Sequence, residues 1–134
     1  MAETPLRALI IESADTDCFQ LVAQLGRGGY VTSYERVDSA EALNERLREK
    51  WDIILSEFVL PHFGALEALR ILEERNCDTP LIVVSSAVCD RNVQAALTAG
   101  AGDFIGKGEL IRLAAATSRE LRNAAARRER KNLE

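Results

Sequence analysis

Five short apolar runs, each followed by an amphipathic stretch, set the pattern of this chain. Leu6-Arg7-Ala8-Leu9-Ile10-Ile11 is the first, and its length and β-branched content predict a buried strand. Asp15 is placed to cap the next helix, with Phe19, Leu21, Val22 and Leu25 as its apolar stripe. Gly26, Gly28 and Gly29 close it, and Tyr30-Val31-Thr32-Ser33-Tyr34 reads as a second strand. Asp38 and Glu41, three apart, predict the start of a helix running through Lys50, with Ala40, Leu43 and Leu47 inward. The third strand run is Asp52 to Phe58, and Pro61 and Gly64 then mark a turn. A helix from about Ala65 to Arg75 buries Leu66, Leu69 and Leu72. Leu81 to Val84 forms a fourth strand, ending in Ser85-Ser86. Asp90 opens a helix carrying Val93, Ala96 and Leu97, closed by Gly100. Asp103-Phe104-Ile105 is a short fifth strand, and a last helix starts near Glu109.

Strand and helix therefore alternate five times. That order predicts an α/β fold: a doubly wound parallel sheet with helices on both faces, because strands this apolar need both faces covered. With 134 residues the chain has the size of one domain. It has no apolar run near the ~20 residues of a membrane span, so no membrane role is expected. Met1-Ala2-Glu3-Thr4-Pro5 lacks the basic-then-apolar order of a secretory leader. Cys18, Cys77 and Cys89 are odd in number and far apart, which fits a reducing cytoplasm and neither a disulfide framework nor a zinc cluster.

Charge is uneven. Residues 119–134 carry six basic and three acidic side chains, whereas residues 1–118 carry eleven and eighteen. An acidic body argues against nucleic-acid binding. We expect a domain over residues 1–118 and a C-terminal extension of the last helix over 119–134, read as a linker to a further module. Ala114, Thr117, Leu121, Ala124, Arg128 and Lys131 follow an alternating 3-4-3-4-3 step, the outline of a coiled-coil seam that turns polar after Ala126.

Candidate chemistry gathers at the strand ends. In open parallel sheets, ligands bind beyond the carboxyl ends of the strands. Glu12 and Ser13 follow the first run, Glu57 ends the third, Ser85 follows the fourth and Lys107 the fifth. Two carboxylates, hydroxyls and an ammonium thus share one edge of one sheet. His62, the only histidine, sits in a turn and supports neither zinc nor a catalytic triad. The glycines around Lys107 have the wrong spacing for a phosphate loop. Trp51 reads as a packing residue.

Leu55-Ser56-Glu57-Phe58-Val59-Leu60-Pro61, Pro80 through Ser85 and Ala99-Gly100-Ala101-Gly102-Asp103-Phe104 resemble three strand segments of the bacterial response-regulator receiver domain, over about residues 6–125. The likeness is to receivers attached to sensor kinase or diguanylate-cyclase modules. It implies the flavodoxin-like strand order 2-1-3-4-5. It also implies a phosphoacceptor aspartate after strand three, two Mg²⁺-holding acids after strand one, and a hydroxyl and a lysine that bind phosphoryl oxygens. An aromatic on strand five would report the signal. Position by position, Glu12 matches the first acid, Ser85 the hydroxyl, Lys107 the lysine and Phe104 the aromatic, which reads equally as a core residue. Ser13 stands where the second acid is expected, Glu57 where the phosphoacceptor is expected, and Gly108 where a proline usually follows the lysine.

The two departures fall on the chemistry. Glutamate moves the carboxylate by about one C–C bond, ~1.5 Å, and a placement error of ~1 Å can cost ~100-fold in a transfer step. A neutral Ser13 removes charge from the cation site. The expectation is a signalling receiver that is not an enzyme, takes no cofactor, binds Mg²⁺ weakly or not at all, and works by protein–protein contact without phosphorylation. The alternative is an active phosphoacceptor using a nearby acid, such as Asp15 or Glu12. Glu57 can reach toward Lys107 and Ser85, either imitating a phosphoryl group with one charge against ~1.5–2, or only neutralising buried charge. Expected partners are a sensor kinase or an attached output module, with a homodimer through the last helix or the fourth- and fifth-helix face left open.

Overall fold

The computed structural model describes residues 3–133. Strands β1 (Thr4–Ile11), β2 (Tyr30–Val37), β3 (Ile53–Ser56), β4 (Leu81–Ser85) and β5 (Asp103–Gly106) alternate with helices α1 (Asp15–Arg27), α2 (Ala40–Arg46), α3 (Ala65–Glu74), α4 (Asp90–Thr98) and α5 (Leu113–Leu133). A 3-10 segment, Lys107–Arg112, joins β5 to α5. Every strand pair is parallel and the order is β2-β1-β3-β4-β5, the doubly wound arrangement expected from the alternation.

The two-residue period of the strands builds two cores. Leu9, Ile11, Ile54, Val83 and Phe104 face α2, α3 and α4, where Leu43, Leu69, Leu72 and Ala96 meet them. Ala8, Ile10, Leu55, Ile82, Val84 and Ile105 face the other way, onto Cys18, Leu21 and Leu25 of α1 and Leu113 and Ala116 of α5. The strands read as continuous apolar runs because both faces are covered. β2 pairs only with β1, and its residues alternate between half-buried and exposed, as an edge strand's do.

Several local expectations are corrected. In α1 the buried spacing is Cys18, Leu21, Leu25, a 3-4 step, and Phe19 falls off that face at 60% exposure. Leu66 and Leu97 likewise point outward, and Ala68 and Ala96 hold the inner positions. Neither Asp15 nor Asp38 caps a helix: Asp15 bonds Arg36 Nε at 2.8 Å, and Ser39 caps α2 by accepting from the Ala42 amide. α4 does begin at Asp90, with Cys89 at its N-cap. α2 stops at Arg46 instead of Lys50, where the Arg46 carbonyl accepts from the Glu49 amide at 3.0 Å and from the Trp51 indole N–H at 2.8 Å. Trp51 is a packing residue, buried beneath the Arg7 guanidinium, which lies 4.4 Å from its ring.

α5 runs unbroken through the expected boundary at 118/119. Thr117, Glu120 and Ala124 are buried on the body, and Arg128 Nε bonds Asp78 at 3.0 Å. The 4-3 seam is therefore spent within the molecule as far as Arg128. At the helix root, Gly28 lets the end of α1 lie against α5: a Cβ there would fall 2.3 Å from that of Ala114.

Candidate functional site

Register brings the strand ends together. Ile11 pairs with Ser56 in the β1–β3 ladder, so Glu12 and Glu57 are the next residues on neighbouring strands. The Glu57 amide donates to the Ile11 carbonyl at 2.9 Å and the Glu12 amide to the Val37 carbonyl at 3.0 Å. Ser85 pairs with Gly106, so Lys107 is the first residue beyond β5. β5 lies two strand spacings from β3, roughly 10 Å, a gap closed only by a long side chain from each end.

Those side chains meet. Lys107 Nζ lies 3.2 Å from Glu12 Oε2, 3.2 Å from Glu57 Oε1 and 3.7 Å from Asp17 Oδ2. The second oxygen of each glutamate is also engaged: Glu12 Oε1 accepts from the Ser13 amide at 2.9 Å, and Glu57 Oε2 from the Phe58 amide at 2.5 Å. The Glu12 side chain is 5% exposed and that of Glu57 12%. Burial alone would lower the Lys107 pKa, but its hydrogen bond to Glu57 and the charge and hydrogen bond of Glu12 outweigh that, so the pKa is raised. Chemically, this is a closed ion cluster: three carboxylates around one ammonium.

The remaining expected residues divide. Ser85 is buried at the same edge, but its hydroxyl oxygen accepts from the Ala87 amide at 3.0 Å and makes no hydrogen bond to Glu57. Ser13 contributes its backbone N–H to Glu12, and its side chain is exposed. Phe104 is buried with its ring 5.8 Å from that of Phe58, tilted by 46°. Asp15 is turned away onto Arg36, and His62 is exposed. Sequence reasoning missed Asp17 and Phe58. Asp17 could have been found as a second acid in the first turn of the helix that follows Glu12.

The sequence model of the response regulator receiver domain matches residues 8–117. The chain is similar to the two-component response regulator ORR41 of Oryza sativa subsp. japonica, at 28% identity over 110 residues, 80% of this chain and 87% of that one. It is also similar to protein-glutamate methylesterase/protein-glutamine glutaminase 6 of Anaeromyxobacter dehalogenans, at 31% over 105 residues, which span 78% of this chain and 30% of the relative. Among solved structures, the signal receiver domain of a signal transduction histidine kinase from Syntrophus aciditrophicus superimposes with a TM-score of 0.71 at 28% identity, covering 88% of this chain and 91% of that one.

Proposed function

The chain belongs to the response regulator receiver domain family, and on that premise we propose that it is a receiver set by a built-in ion bridge instead of by phosphate. It is a signal-receiver module of two-component systems. The observation that carries the proposal is the Glu57 carboxylate, held between the Lys107 ammonium and the Phe58 amide. Both of its oxygens have partners, so an incoming phosphoryl donor would have to compete with Lys107 and the Phe58 amide for them. The Lys107 ammonium, which would bind an incoming phosphoryl group in the family's chemistry, is already shared by Glu12 and Glu57.

The donor set supports weak or absent Mg²⁺ binding. Mg²⁺ asks for near-octahedral oxygen ligands at about 2.1 Å. Glu12 and Glu57 each spend one oxygen on Lys107 and one on a backbone amide, and position 13 supplies a neutral, exposed hydroxyl. A divalent ion would have to displace Lys107 to enter. The residues therefore do not fit the cation as they stand.

In this reading the domain is non-enzymatic and works by contact with proteins, either a sensor kinase or a module attached to it. With Phe104 buried against Phe58, the domain presents one fixed surface to them. No helix among the described residues is long and apolar enough to cross a membrane. The test is intact-mass spectrometry after incubation with acetyl phosphate and Mg²⁺. The wild-type chain should gain no phosphoryl group, and the double variant S13D/E57D should gain one. Stoichiometric phosphorylation of the wild-type chain would overturn the proposal.

A further inference from the structure

A second concave site lies at the opposite, amino-terminal edge of the sheet. A cleft of about 590 Å³ opens between α3, the segment leading into β4, the turn before β5, and α5. Its lining is mixed: Leu69, Leu72, Pro80 and Leu81 form an aliphatic side, and polar groups including Glu73, Asp78, Asn123 and Arg127 surround them, with Glu120 of α5 among them. It shares no residue with the Lys107 cluster.

Glu120 is an unusual wall residue. It is 6% exposed yet carries a carboxylate. Its side-chain partners are Arg119 Nε and Asn123 Nδ2, each at 3.5 Å and both on Oε2. Arg119 is held more closely by Asp103, at 2.8 Å. Among the described residues no donor reaches Oε1. That oxygen occupies the space a side chain at position 102 would fill: a Cβ on Gly102 would fall 1.9 Å from it. Gly102 also lines the cleft, so the missing side chain seats the carboxylate there.

Oε2 is engaged by Arg119 and Asn123, and Oε1, without a donor among the described residues, keeps acceptor capacity on the cleft side. A cleft of roughly 300–1,000 Å³ with apolar walls and a few placed polar groups is the usual form of a small-molecule site. Here the sign of the ligand follows from the lining. Glu73, Asp78 and Glu120 are acidic and Arg127 is basic, leaving negative charge in excess. Asp78 is already bound by Arg128, at 3.0 and 3.3 Å, so Glu120 is the acceptor with capacity to spare.

We propose that this cleft binds a small organic cation, an ammonium or guanidinium on an aliphatic chain. The charged end sits on Glu120, and the chain lies against Leu69, Leu72 and Leu81. The proposal stands apart from the reading of the Lys107 cluster and survives if that reading fails.

The test is a two-dimensional NMR titration of the full chain with n-butylammonium and n-butylguanidinium, with n-butanol and butyrate as neutral and anionic controls. The cations should give saturable shifts at Gly100, Gly102 and Asn123, and the controls should not. E120Q, nearly isosteric, should weaken cation binding about tenfold or more, the loss of one charge-assisted contact. E73Q, at the exposed rim, should change it by less than about threefold. If E120Q lowers the helix content, G102A, which displaces the carboxylate, should give the same loss. Equal binding of butanol, unchanged binding by both E120Q and G102A, or no saturable shift with either cation would overturn the proposal.

Discussion

Replacing Lys107 with methionine keeps most of the apolar stem and removes the ammonium. The Glu12 carboxylate, 5% exposed, and that of Glu57, 12% exposed, then share a space without their counter-charge. Removing one partner of a buried ion pair costs about 3–5 kcal/mol. The Lys107 side chain is 25% exposed, and solvent screens part of the interaction, so we expect about 2–3 kcal/mol. A domain of this kind is stable by roughly 5–15 kcal/mol, so K107M should remain folded. In urea denaturation, with a slope of roughly 1–3 kcal/mol per M, its midpoint should fall by about 1 M. The double variant E12Q/K107M also removes one orphaned carboxylate and should recover part of the loss, giving a measurable coupling energy. A loss below about 0.5 kcal/mol for K107M would place the cluster with solvent-exposed pairs, and the assignment of Lys107 as the site's counter-charge would be refuted.

The same pair of proteins gives a pH prediction. The Lys107 pKa is raised, so its stabilisation is fully present below the unfolded value, about 10.4, and is lost as pH rises through the higher folded value. The gap between wild-type and K107M midpoints should be constant up to about pH 10 and narrow above it; a gap that narrows already near neutrality would contradict this. Burial and the neighbouring Glu12 charge push the Cys18 thiol from 9.0 up to about 11, so wild-type stability should also fall between those values, a slope that C18A removes. Alkylation under native conditions followed by mass spectrometry should modify exposed Cys89 first and buried Cys18 last. In D78N the Arg128 contact weakens, so amide exchange over residues 125–133 should accelerate while global stability changes by less than about 1 kcal/mol. Unchanged exchange there would mean that the ion pair does not hold the end of α5.

Glu12, Glu57 and Lys107 were legible because each lies within two residues of the end of an apolar run, and parallel register turns that position into proximity. Which oxygen each would engage was not legible, since the Ser13 and Phe58 amides are backbone groups that no residue pattern marks. Ser85 was placed at the correct edge, but a hydroxyl there has a local alternative in the amide two residues on, and it takes it. Asp17 reads as an ordinary first-turn acid until the chain 90 residues later supplies Lys107. Phe19 was misplaced because two spacings, 18-21-25 and 19-22, offer similar apolar stripes, and only the packing partner decides between them. The end of α2 is a local turn in which the Glu49 amide and the Trp51 indole both donate to the Arg46 carbonyl, a detail that apolar periodicity does not mark.

α5 is also a mechanical element. Its 21 residues make a rod of about 30 Å at 1.5 Å per residue. One end is rooted just after the 3-10 segment that begins with Lys107, and near the other Arg128 is fastened to Asp78. A tilt of only about 10° at the root would carry the far tip by roughly 5 Å over that length. The charge cluster therefore sits at the fulcrum of a lever and the Asp78 fastening near its load end. With its root beside the ion cluster, its middle packed on the body and Arg128 tied to Asp78, the rod is held at a single angle.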